Sequence, residues 1–177
     1  MIEIDDAGGG CFIGPEILVI HRLETGAVWY LHIPPAIEAR VEYATQILKA
    51  AFRDLEISTE ETIRLCRGEI FDPFQLYLSS LDYQVLREKV SAATDKLAEN
   101  RFMAMLYSYG LPRSIKLKDR DYRSFYEMVG CWYYSQSAHH TAGIRKIRLK
   151  PPFWIKKVAR SYPNLIQIML ESDQVAG

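Results

Sequence analysis

Cysteine is scarce in this chain of 177 residues: Cys11, Cys66 and Cys131 are far apart and odd in number. That argues against a disulfide framework and predicts free thiols in a reducing, cytoplasmic setting. No apolar run reaches the roughly 18 residues that a membrane span requires, and the first residues are acidic and strand-like rather than basic. Neither a membrane protein nor an export leader is expected. The glycines at 8–10 lack the Gly-Lys-Ser or Gly-Lys-Thr of a phosphate-binding P-loop, and no Gly-x-Ser-x-Gly occurs, so two common hydrolase chemistries have no support. His139-His140 has no Cys or carboxylate at zinc spacing, and adjacent side chains diverge on most backbones.

Acidic residues are missing from one long stretch. Between Glu127 and Glu171 there is no Asp or Glu, while Arg145, Lys146, Arg148, Lys150, Lys156, Lys157 and Arg160 all fall there. Because the whole chain has 22 basic and 22 acidic residues, this stretch carries seven positive charges and the remainder a balancing negative excess. Phe153, Trp154 and Tyr162 lie among the cations. Such a set can hold phosphates on its charges and stack bases on its rings, which would make nucleic acid the partner. The plainer reading is a solvated stripe that offsets the acidic part of the same fold.

What is present is the make-up of an ordinary folded domain. Hydrophobic residues at 49% and charged residues at 25% suffice for a core without disulfides or structural metal. A short apolar strand is expected at 2–5, a turn from Ala7 to Gly10, a second strand from Phe12 to Leu23 and a third from Val28 to Ile33. Pro34-Pro35 ends the third strand and is expected to open a helix, on which Ile37, Val41, Ala44, Leu48, Ala51 and Leu55 recur at the spacing of one buried face. "TIRLCRGEIF", from Thr62 to Phe71, predicts a fourth strand broken by Asp72-Pro73. A long helix is expected from Asp82 to Tyr109, a fifth strand in "SIKLK" at 114–118, and a last helix from Asp121 to Tyr134 with Phe125, Met128, Val129 and Trp132 inward.

This order of elements resembles that of the ribonuclease H-like fold, and three stretches carry the resemblance further. "IEIDDAGGGCFIG" resembles the first strand of ribonuclease H-like nucleases, where an Asp after an apolar strand precedes a glycine-containing turn. "LCRGEIF" resembles the fourth strand of the Holliday-junction resolvase branch, and "AENRFMAMLYSYGLP" is similar to the helix and turn that lead into the fifth strand of that branch. The resemblance implies an α/β fold: a mixed five-stranded sheet, made of a three-strand antiparallel meander plus two parallel strands, flanked by helices. It implies a single domain over 1–177, with a basic C-terminal extension from about 143. It also implies a Mg²⁺- or Mn²⁺-dependent nuclease or resolvase-like protein acting on nucleic-acid phosphodiesters, or else a non-catalytic binding or assembly module of the same fold.

The residues allow a specific site to be named. A central first strand and a right-handed crossover would set the fourth strand parallel beside it, so that the carboxyl ends of both meet. Asp5 and Glu69 would then converge, and two crowded carboxylates are stabilised together by a hard divalent cation. Asp6, on the opposite face if the strand persists, is a reserve ligand. Asp95 and Glu99, four residues apart on one helix face, are further candidates, Asp95 as a ligand and Glu99 as a catalytic acid. Family nucleases draw a further acid from their final helix, for which Asp119, Asp121 and Glu127 are available here, Asp121 being the candidate ligand, although none sits in a recognisable motif. Homodimers are common for proteins of this kind, but no heptad or exposed apolar stripe specifies one.

Overall fold

The computed structural model describes residues 1–11, 13–118 and 121–137, with side chains to residue 134. The basic set from Arg145 to Lys157, with Trp154, lies outside the described residues. The elements run β1 (Ile2–Ala7), β2 (Glu16–Arg22), β3 (Ala27–Ile33), α1 (Arg40–Asp54), β4 (Ile63–Leu65), a 3₁₀ turn (Glu69–Phe71), α2 (Asp72–Ser79), β5 (Val85–Arg87), α3 (Ala92–Ser108) and α4 (Tyr122–Ser137). All five strands belong to one sheet of order β3-β2-β1-β4-β5. β2 pairs antiparallel with both β1 and β3, whereas β4 pairs parallel with β1, and β5 with β4. The fold is therefore α/β with a mixed sheet, an antiparallel meander on one side and two parallel strands on the other.

Two compact units divide the chain: Met1–Gly9 with Pro15–Phe102, and Gly10–Gly14 with the residues from Met103 onward. In the first unit β1 is the middle strand, and alternation sends Ile2, Ile4 and Asp6 to one face and Glu3, Asp5 and Ala7 to the other. Ile2 and Ile4 join Leu18, Ile20, Ile63 and Leu65 in a core sealed by Ala44, Leu48 and Phe52 of α1 and by Phe71, Phe74 and Leu78. Ile17 and Val19 are also fully buried. This two-sided burial is why β2 reads as a continuous apolar run rather than an alternating one. In the second unit Leu106, Leu111, Phe125, Tyr126 and Val129 are buried. Gly10 there lies against the Tyr126 ring, which a Cβ would approach to 2.8 Å.

Several sequence expectations are corrected. β2 begins at Glu16 rather than residue 12, because Gly14 takes φ +73° and Pro15 has no N–H to give a strand ladder. Pro34-Pro35 does not start α1; Ile37 N–H closes a turn onto Pro34 O, and the helix opens at Arg40. β4 is three residues long, not ten, and Asp72-Pro73 does not interrupt it but opens α2, where proline suits the first turn. The helix expected from Asp82 begins only at Ala92, since 85–87 pairs with β4 and supplies the fifth strand. "SIKLK" forms no strand. On α4 the inward positions include Tyr126 and Tyr134, while Met128 is exposed.

Candidate metal centre

β1 continues to Ala7, so Asp5 and Asp6 do take opposite faces of the sheet. They nevertheless meet at its end. Carboxylate oxygens of Asp5 and Asp6 and the Sγ of Cys66 all lie within 4.8 Å of one another. The register explains this: Leu65 of β4 pairs with Ile4, and the next residue, Cys66, donates its N–H to Ile4 O at 3.0 Å. Cys66 is thereby brought beside Asp5 at the carboxyl ends of two adjacent parallel strands. Gly68, two residues on, leaves room for Asp6, since a Cβ there would stand 3.1 Å from Asp6 Oδ1.

The electrostatics of this corner are crowded. Burial pushes the Asp6 carboxyl up to about 8, the negative charges of Glu16 and Asp5 push in the same direction, and Arg40 only partly offsets them. Glu16, 2% exposed at the head of β2, receives two hydrogen bonds from Arg40, Nε to Oε2 at 3.0 Å and Nη2 to Oε1 at 2.7 Å. Arg40 Nη1 reaches Glu69 Oε1 at 3.4 Å. Burial, followed by a hydrogen bond to Asp5 and its charge, pushes the Cys66 thiol up to about 12. It is a protonated neighbour at neutral pH rather than a reactive thiolate.

Glu69 is not in a strand. It opens the 3₁₀ turn, is largely exposed, and stands outside the three-residue donor group, paired with Arg40. Arg64, at the middle of β4, binds Glu3 and Glu88. Asp95 and Glu99 are half-buried on α3, one position round from the buried stripe of Thr94, Ala98 and Phe102, and neither belongs to the donor group. Asp121 is exposed in the second unit, where Ser124 N–H donates to its Oδ1 at 3.1 Å at the start of α4.

Two members of the corner were missed in the sequence. Cys66 reads as an ordinary buried thiol, and Glu16 is hidden inside the apolar run that became β2. The available signal was an acid heading a strand otherwise made of "ILVI", a position that demands a cationic partner.

The donor atoms of Asp5, Asp6 and Cys66 lie close enough together for the group to hold a metal ion. No protein-family model and no curated protein sequence matches the chain. Among the described residues no helix is long and apolar enough to cross a membrane.

Proposed function

We propose that this chain is a ribonuclease H-like, metal-dependent phosphodiester hydrolase, a nuclease or resolvase-like protein acting on nucleic acid. The observation that carries the reading is the meeting of Asp5, Asp6 and Cys66 at the end of the middle strand. It gains support from the sheet order, in which a parallel β4 lies directly beside β1. Ligands of open α/β sheets gather outside the carboxyl ends of such strands.

In this reading Asp5 and Asp6 hold Mg²⁺ or Mn²⁺ through their carboxylates. When bound, such an ion makes a water nucleophilic at neutral pH and stabilises the departing oxygen of a phosphodiester. The Cys66 thiol hydrogen-bonds with Asp5 and so helps fix the orientation of that ligand. Gly68 keeps the approach to Asp6 open. Arg145, Lys146, Arg148, Lys150, Lys156 and Lys157, with Trp154, supply the cations and a ring for a sugar-phosphate backbone.

A second reading, a non-catalytic binding or assembly module, is favoured by one observation. Glu69 stands outside the donor group, which leaves two carboxylates in it, and a site with so few charged ligands holds its ion loosely. Cleavage assays separate the two readings. Branched, duplex and single-stranded substrates are incubated with Mg²⁺ or Mn²⁺, and then again with Asp5→Asn. Metal-dependent cleavage that the substitution reduces by about 100-fold or more supports the hydrolase. No cleavage of any substrate supports the module, and cleavage untouched by the substitution refutes the site.

A further inference from the structure

We infer that β3 is a docking edge for a second copy of this chain, the two β3 strands pairing antiparallel about a twofold axis at Tyr30 and joining two five-stranded sheets into one. The inference stands apart from the metal-centre reading. β3 ends the sheet and is paired on one side only, with β2. The parity of the ladder decides which of its groups face outward. Leu23 N–H bonds to Met1 O, toward β1, so by alternation Arg22, Ile20 and Leu18 turn their N–H and C=O toward β3. Their partners Ala27, Trp29 and Leu31 are used in that ladder. Val28, Tyr30 and His32 therefore present N–H and C=O away from the sheet, where no hydrogen bond reaches them among the described residues.

The two edges of the sheet are built differently. β5 is three residues long, and its Arg87 is tied to Cys66 O, Gly68 O and Asp72; shortness and charge are what blunt an edge against further strands. β3 has seven residues, "AVWYLHI", with no proline and no Lys, Arg, Asp or Glu, and all but Ile33 keep some solvent exposure. An edge so long and apolar attracts another strand, and this one is complementary to itself. A twofold at Tyr30 sets Tyr30 against Tyr30, and Val28 against His32, of the second copy as hydrogen-bonded pairs, each residue giving and taking one N–H···O bond. It sets Trp29 against Leu31 as the closer, non-bonded pair. Both already pack on the core cluster and are only partly covered, so the pairing carries the apolar layer across the axis with no like charges opposed along the strand. On the other face Arg101 lies over the Tyr30 ring, 5.3 Å from its centroid, and the facing ring extends that aromatic surface.

The test is sedimentation equilibrium of the full chain over a range of concentrations, with amide hydrogen exchange as a second readout. Wild type should form a dimer with a Kd on the order of 10 µM or tighter, and the amides of Val28, Tyr30 and His32 should exchange more slowly in the dimer than after dilution. Tyr30→Pro removes the N–H of the central pair without touching the ladder to β2, and should weaken the dimer by about tenfold or more. Tyr30→Phe keeps the backbone and the ring and should dimerise as wild type does. If Tyr30→Pro fails to fold, His32→Pro removes an outward N–H nearer the end of the strand and should weaken the dimer in the same direction. Wild type that stays monomeric up to about 1 mM overturns the inference and leaves the edge to a strand of a different protein. Folded proline variants that dimerise as tightly as wild type overturn it by placing the contact on another surface. Rapid exchange of the three amides in dimeric wild type overturns it whichever variants fold.

Discussion

Glu3 and Asp6 stand on the same strand, one on each face, and their surroundings drive their carboxyls in opposite directions. Glu3 is fully buried, yet it accepts hydrogen bonds from Arg64 Nη1 at 2.5 Å, from Ser91 N–H at 3.0 Å, from Ser91 Oγ at 2.5 Å and from Thr94 Oγ1. Burial alone would push its carboxyl up; the bonds from Ser91, Thr94 and Arg64 together outweigh it and hold the group below the usual Glu value. Asp6 is pushed up to about 8 by burial and by the charges of Glu16 and Asp5. An acid whose lone pairs are met by donors is a structural brace, here joining β1 to the start of α3. An acid hemmed in by other acids is, in the function proposed above, a place for a cation.

The largest effect expected from this contrast is on stability at the Glu3 end. Glu3→Ala removes the acceptor of the Ser91 N–H, takes one partner from Thr94 and leaves Arg64 without its buried partner, and should destabilise the protein by about 3–5 kcal/mol. Urea unfolding monitored by circular dichroism measures it. A loss below about 1 kcal/mol would remove Glu3 from the structural side of the comparison.

A smaller effect, of opposite sign at the two acids, is expected as pH varies in metal-free protein kept in a chelator. Asp6 has a folded value of about 8 against an ordinary 3.8. Its contribution is fully present below the ordinary value and lost as pH rises through 8, with stability falling by at most about 1.4 kcal/mol per pH unit in between. Glu3 behaves inversely, its contribution complete above the ordinary 4.5 and lost as pH falls through its lower folded value. Unfolding midpoints from pH 5 to 9 should slope downward in wild type and flatten in Asp6→Asn. An equal slope in the two proteins would assign the titration to another group.

Much of the fold was legible where a local period is long enough to see. The meander strands and the α1 stripe from Ala44 to Ala51 declare themselves by repetition along the chain. β4 and β5 do not, because three residues each carry no period; they are defined by pairing with β1 and with each other. α2 was concealed by a dipeptide, Asp72-Pro73, that serves equally to end a strand and to begin a helix. The site divides along the same line. Asp5 and Asp6 are visible as acids between an apolar strand and a glycine turn, whereas the grouping with Cys66 rather than Glu69 comes from sheet register. Glu16 and Arg40 are 24 residues apart, and nothing local announces their bond.

The smallest stability change, and the most selective, is expected from Gly68→Ala. Gly68 has φ −60°, an angle that alanine accepts without strain, and its carbonyl contact with Arg87 is unaffected by a side chain. Alanine also narrows the unfolded ensemble, by about 0.4–1 kcal/mol in favour of folding. Against this, the new Cβ would sit 3.1 Å from Asp6 Oδ1 and displace that carboxylate by a few tenths of an ångström. The two contributions are of similar size, so the unfolding midpoint should stay within about 0.5 kcal/mol of wild type. The shifted oxygen is one of the donors grouped with Asp5 and Cys66, and Mn²⁺ affinity measured by calorimetry should fall several-fold. Glu3 lies on the other face of β1 and its bonds are untouched. Gly68→Ala therefore perturbs the charge-crowded corner alone, and unaltered Mn²⁺ affinity in a folded variant would show that the Asp6 carboxylate takes no part in holding the ion.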